Sequence, residues 1–173
     1  RIADTLIDTF GPKHVQWAML IAAFIVGIAL FFEVGLVLLI PLVFTIAKRA
    51  KVSPLKLGLP MVTALSVTHG FLPPHPGPVV IAKELKANIG HVLLYGIIIA
   101  IPVTLIAGPI FNKFAQKLIP SAYTREGDIS ALGSQKEFKA SEMPSFGLSI
   151  LTAVLPVILM LLSTVVQLVT GHE

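Results

Sequence analysis

Three ionisable side chains stand inside apolar stretches of this sequence: Glu33 in FFEVG, and His69 and His75 in THGFLPPHPGP. A carboxylate in hydrocarbon costs several kcal/mol, so Glu33 is expected to face a water-filled cavity or a partner and to have a functional role. The alternative is a Glu paired to a neighbouring helix for packing. Imidazole changes charge near neutral pH, so His69 and His75 have the chemistry of a proton carrier. With the hydroxyls of Ser66 and Thr68 they can also donate hydrogen bonds to a carboxylate or to hydroxyl groups. For each histidine a structural hydrogen bond is nearly as good a reading. A zinc site on His69 and His75 is disfavoured: their spacing on a proline-broken backbone matches no usual ligand pattern, and the chain has no cysteine. No metal and no other cofactor is implied.

The segment holding these histidines cannot be one helix. Prolines at 73, 74, 76 and 78 remove the donors an α-helix needs, which predicts two half-helices, 57–69 and 78–85. Irregular backbone at membrane depth is tolerated only where it lines a cavity or is buried in protein, so the interruption is the expected site. A half-helix N-terminus offers free N–H groups and a positive dipole to an anionic substrate, while unwound carbonyls can hold a cation. Pro78 suits the first turn of the second half-helix, where its missing N–H is no loss. An extramembrane loop is the plain alternative, but its flanks are too short to cross alone.

The medium follows from composition. The 173 residues are 55% hydrophobic and 13% charged, with a mean hydropathy of +0.89, far from a soluble domain in which about a quarter of residues are charged. The formal net charge of +4 sits between apolar runs, which marks membrane flanks and not a nucleic-acid footprint. The lipid bilayer is the expected partner and nucleic acid is not. Residues 1–10 suggest an amphipathic helix at the interface, ended by Gly11-Pro12. Apolar regions follow at 15–47, 57–86, 89–111 and 146–169, with Pro102 and Pro156 expected to kink their helices. Between the last two lies a polar linker, 112–145, expected to be cytoplasmic. The chain opens inside a helix-like pattern without a signal peptide, which suggests a piece of a longer protein.

Run 15–47 would measure about 50 Å as one helix, against a hydrocarbon core of about 30 Å. Counting positive charge on alternate sides favours a re-entrant hairpin over 15–47 and a crossing broken helix over 57–86. That arrangement gathers eleven of the thirteen Lys and Arg on one side and leaves only Lys83 and Lys86 on the other. The hairpin turn is expected at FFEVG, with Gly35 either supplying positive φ or permitting close helix packing. The expected fold is therefore all-α and integral to the membrane, a re-entrant hairpin plus a discontinuous transmembrane helix.

No G-x-G-x-x-G, P-loop, HExxH or G-x-S-x-G pattern occurs, so nothing positive supports an enzyme. Polarity concentrates at two breaks instead of repeating along a pore, which favours a transporter over a channel or a structural membrane subunit.

The blocks FFEVGLVLLIPLVFTIA, ALSVTHGFLPPHPGP, LLYGIIIAIPVTLIAGP and SEMPSFGLSILTAVLPV resemble, in order, those of the gluconate:proton symporter (GntP) family of bacterial inner-membrane permeases. The resemblance implies multi-pass location in the inner membrane and proton-driven uptake of gluconate or a related sugar acid, with D-serine as the alternative substrate. It also implies half of an inverted-repeat fold of the ion-transporter-superfamily kind, each half with a re-entrant hairpin and a broken helix. Carried over onto this sequence, the hairpin turn falls on 32–35 and the broken-helix site on 68–77. The substrate-binding set expected is Gly35, Ser66, Thr68, His69, His75 and Pro78. Proton coupling falls to Glu33 or His69, with Glu33 preferred because a desolvated carboxyl holds its proton closer to neutral pH. Oligomeric state is left open, a homo-oligomer included.

Overall fold

The computed structural model describes residues 2–124 and isolated positions between 145 and 166. The expected transmembrane helix 146–169, with Pro156, and most of the linker 112–145 lie outside the described residues. All regular structure among the described residues is helical. Helix α1 (Ile2–Ala29) is interrupted at Gly11, whose φ of 70° and ψ of 165° leave the helical region where Gly11-Pro12 is expected to break it. After Leu30 and Phe31 the chain enters α2 (Phe32–Ala50). This helix ends on Lys51 in the left-handed conformation, with the Val52 N–H returning to the Ala47 carbonyl at 3.0 Å. Lys48 and Arg49 lie in its last turn, where positive charge suits the helix dipole.

Ser53 caps α3 (Pro54–Phe71), its hydroxyl accepting from the Leu55 N–H, and Pro54 fills the first helical position. A four-residue interruption, 72–75, separates α3 from α4 (Pro76–Glu84). Asn88 caps α5 (Ile89–Leu105), its side chain accepting from the His91 N–H at 3.1 Å. At Ile106–Ile110 the helix widens to a π turn containing Gly108 and Pro109, then continues as α6 (Phe111–Leu118) and a 3₁₀ turn, Pro120–Tyr123. The stretches Pro54–Glu84 and Ile89–Leu118 are each long and apolar enough to cross a membrane.

The core forms where three helices turn one face inward. Val15, Ala18, Met19 and Ala23 of α1 pack with Leu39, Val43 and Ile46 of α2 and with Leu57, Met61, Ala64 and Leu65 of α3. Their three- and four-residue spacing puts each set on a single helix face. A second cluster, Val67, Leu72, Leu93 and Ala100, attaches α5 to the end of α3. The outer faces stay apolar: Val37 is 72% exposed and Leu38 58%, as expected of a surface that meets lipid.

Two threonines in the proline-containing helices α2 and α3 return their hydroxyls to a carbonyl of the preceding turn. Thr45 donates to the Pro41 carbonyl at 2.8 Å and Thr63 to the Leu59 carbonyl at 2.9 Å.

Three boundaries differ from the expectation. The turn after α1 lies at Leu30 and Phe31, and 32–35 is already the first turn of α2, closed by the Gly35 N–H on the Phe31 carbonyl at 2.9 Å. Gly35 therefore supplies no positive φ, and Gly11 is the described glycine that does. The second half-helix starts at Pro76, since any proline is welcome in a first turn and the chain uses both Pro76 and Pro78 there. The third helical region runs past 111 to Leu118, because the π turn absorbs Gly108-Pro109 without ending the helix.

That extension buries Asn112, 2% exposed, where a polar linker was expected to begin. Its Nδ2 donates to the Lys56 carbonyl at 2.9 Å and its Oδ1 accepts from the Tyr123 hydroxyl at 2.6 Å, tying α6 and the 3₁₀ turn to the start of α3. Asn112→Ala should lower the unfolding free energy by about 1–3 kcal/mol, and Tyr123→Phe by less. Thermal denaturation of the purified full-length protein in detergent reads both.

Candidate functional site

The two interruptions in the helices adjoin. Phe31 is the N-cap of α2 and His75 is the N-cap of α4, and their rings lie 5.9 Å apart in an edge contact. His69, from the last turn of α3, completes the group, 4.5 Å from the His75 ring and 6.0 Å from that of Phe31. Three helix ends thus converge with α1, whose Gly27 carbonyl is reached by His75 Nε2 at 2.8 Å. A carbonyl can only accept, so the proton of that bond is on Nε2. Gly27 lies in the last turn of α1, where carbonyls lack intrahelical partners, and His75 supplies one.

The local sequence explains the arrangement. Leu72 ends α3 with extended backbone, its N–H on the Thr68 carbonyl at 3.0 Å, and the His75 N–H then closes a turn on the Leu72 carbonyl at 3.2 Å. Pro73 and Pro74, joined by a cis peptide bond, lie between them. Pro76 and Pro78 have no N–H, so of the first three residues of α4 Gly77 alone has one to offer. Helix α2, like α4 without a side-chain cap, has no proline in its first turn, so the N–H groups of Phe32, Glu33 and Val34 remain without intrahelical partners. The junction accordingly presents helix N-termini, whose partial positive charge suits an anion, beside an imidazole.

The expected site residues divide into two sets. His69, His75 and Thr68 come together at the junction, and Pro78 is buried in the first turn of α4. His69 Nδ1 is buried and has no partner among the described residues, which leaves it free for a ligand. His75, 3% exposed, has its Nε2 committed to Gly27, so a protein hydrogen bond takes one of the two ring nitrogens of a residue expected to meet substrate. Thr68 is fully buried, and its hydroxyl donates to the carbonyls of Ala64 and Leu65 in its own helix, at 2.8 and 3.0 Å. This binding is local, and the hydroxyl is not presented to a ligand.

Gly35 is buried against the Leu65 side chain, the packing reading of its two. Ser66 is exposed, one turn before His69. Glu33 is exposed as the second residue of α2. The burial expected of it is not seen among the described residues, because Glu33 lies on the outer face of α2, away from Gly35 and Phe32, which pack on the core. Its place there does suit the helix dipole.

Two residues of the junction are absent from the expected set. Phe31 is the first residue of FFEVG and was within reach of the sequence. Gly27 carries no local signal; its role arises from α1 crossing α3, where a Cβ at 27 would run into the Thr68 hydroxyl and lie 3.2 Å from Leu65 Cα. At Gly35 an added Cβ would meet only the far end of the Leu65 side chain, at 2.8 Å, which can rotate away. Gly27→Ala should therefore destabilise the protein by about 1–3 kcal/mol and Gly35→Ala by less, measured as the shift in thermal unfolding in detergent.

Comparison with known proteins gives a consistent result. The pattern of the family described as GntP family permease matches residues 1–173. The chain is 61% identical over 168 residues to the gluconate permease of Bacillus subtilis (strain 168), covering 97% of this chain and 38% of that protein. It is 51% identical over 177 residues to the high-affinity gluconate transporter of Escherichia coli (strain K12), covering 99% of this chain and 38% of the relative. The Gnt-II system L-idonate transporter of the same organism is 51% identical over 168 residues, 97% of this chain and 37% of the relative. The chain thus spans less than two fifths of the length of these curated relatives. No solved structure matches it.

Proposed function

Starting from the GntP permease family, to which the chain belongs over residues 1–173, we propose that the protein of which it forms a part takes up gluconate or a related sugar acid by proton symport across the bacterial inner membrane. Relatives named gluconate permease and gluconate transporter support the substrate class. The observation that carries the mechanism is the meeting of the two interruptions, with the N-caps of α2 and α4 in ring contact and an unpartnered His69 Nδ1 beside them.

In this reading the substrate carboxylate docks at the free N–H groups of the first turn of α2 and at Gly77 of α4, where dipole and hydrogen bonding act together. His69 Nδ1 bonds the carboxylate or an adjacent hydroxyl. Thr68 and Gly35 shape the junction by packing, and Ser66 stands at its margin. Glu33 shares the first turn of α2 with those N–H groups, so its ionised form opposes an anion bound there. Protonating Glu33 removes the repulsion, which makes the proton and the anion favour one another's binding. Coupling then needs no direct contact between the two, only their common helix terminus.

The relative named L-idonate transporter favours a second substrate of the same kind. A pocket holding a carboxylate at helix termini reads hydroxyl configuration through few groups, so small changes decide between sugar acids.

Uptake of labelled gluconate by cells lacking their own permeases and expressing the full-length protein tests the reading. Accumulation should collapse with a protonophore, and unlabelled L-idonate should compete if the second substrate is shared. Glu33→Gln should abolish accumulation against a gradient while sparing exchange of labelled for unlabelled substrate. Uphill uptake retained in that variant removes Glu33 from coupling. His69→Ala should raise the apparent KM about tenfold or more, the loss of one hydrogen bond to a charged group.

A further inference from the structure

Resting on that reading of the junction, we propose that His75 is a positioning residue and not a substrate ligand: it is a latch that fastens the interruption between α3 and α4 to the end of α1 through the Gly27 carbonyl. Four observations carry it. The bond from His75 Nε2 to the Gly27 oxygen is 2.8 Å long and buried. The histidine that makes it is 3% exposed, whereas neighbouring His69 keeps an unpartnered Nδ1. His75 is also the N-cap residue of α4, so the bond fixes where that helix begins. Gly27, finally, lies where α1 passes α3 too closely to admit a side chain, against Leu65 and the Thr68 hydroxyl, so the latch closes over a tight crossing in the junction.

The bond does two things for an anion. It holds the N-terminus of α4 against Phe31, the N-cap of α2, through the 5.9 Å ring contact, and so keeps both helix termini turned to one place. It also covers a carbonyl at the C-terminal end of α1, the negative end of that helix dipole, which would otherwise face an arriving carboxylate at close range. One imidazole thereby removes an unfavourable charge and aligns two favourable ones. The two histidines have separate tasks: His69 offers its free nitrogen to the ligand, and His75 builds the surface on which the ligand rests. Movement of either interruption during transport must carry the other with it while the latch is closed.

The test uses the full-length protein and three measurements: abundance in the membrane, gluconate uptake kinetics, and the pH profile of uptake. His75→Leu keeps bulk and loses the donor, and should lower the uptake rate at low substrate about tenfold, the effect of stranding one buried carbonyl. His75→Gln places an amide N–H near the position of Nε2. It should recover most of that loss and retain the parent's pH profile. Recovery in Gln without a change in pH profile supports the latch. Uptake by His75→Leu equal to that of the parent overturns it, as does a Gln variant that is impaired like Leu or whose pH profile differs from the parent's. Should His75→Leu fail to reach the membrane, the Gln variant decides alone by the same criteria. A parent that takes up no gluconate refutes the substrate reading instead, and the latch is then scored by thermal unfolding of the Gln and Leu variants, with Gln expected close to the parent.

Discussion

A bilayer offers no water to a broken helix, so each interruption must satisfy its backbone groups from protein. This chain solves the problem by placing two interruptions against each other. The carbonyl left open at the end of α1 takes its hydrogen from His75, the residue that opens α4. Everything that gives the junction its chemistry follows from that exchange. Phe31 and His75, the two N-caps, come into ring contact, and the first turns of α2 and α4 become neighbours. His69 is drawn in beside them with one nitrogen unpartnered among the described residues.

Close packing makes such an exchange geometrically feasible. Helix α1 lies on α3 with Gly27 against Thr68 and Leu65, and α2 lies on the same leucine through Gly35. Leu65 is thus clasped by glycines from two helices, and the core of Met19, Ala23, Leu39 and Met61 continues below it. Without a hydrophobic drive between helices in lipid, such small-residue contacts are what hold them together. The junction is therefore rigid on the α1–α3 side. Helix α4, of nine residues, shares fewer contacts and depends on the latch for its placement.

The second interruption was legible residue by residue, because proline cannot donate and four of them fall between Leu72 and Val79. The first was legible only as a necessity of length. Leu30 and Phe31, where α1 and α2 part, are ordinary helix residues, and Gly35 drew the expectation to 32–35, just past the break. Gly11 was legible for the opposite reason, since glycine followed by proline is a local signal needing no tertiary help. Pairings across the fold were not legible at all. Gly27 and His75 lie 48 residues apart, and neither spacing nor composition distinguishes a histidine that ligates from one that caps a distant helix. Asn112 was misread as linker because the π turn that carries the helix past Pro109 leaves no mark beyond Gly-Pro itself, a pair that more often ends helices.

Glu33 illustrates how a position gains meaning from its surroundings. Its neighbours on the outer side of α2, Val34, Val37 and Leu38, are exposed and apolar, so the carboxylate stands at the boundary between an oily face and the polar junction. In the proposed mechanism a group at that boundary would sense a bound anion through the shared helix terminus. A carboxylate buried behind His75 would sense the anion more strongly, but would have no route by which to exchange its proton. Exposure, which counts against Glu33 as a desolvated acid, is compatible with the proposed carrier role, which needs a route by which the carboxyl can exchange its proton.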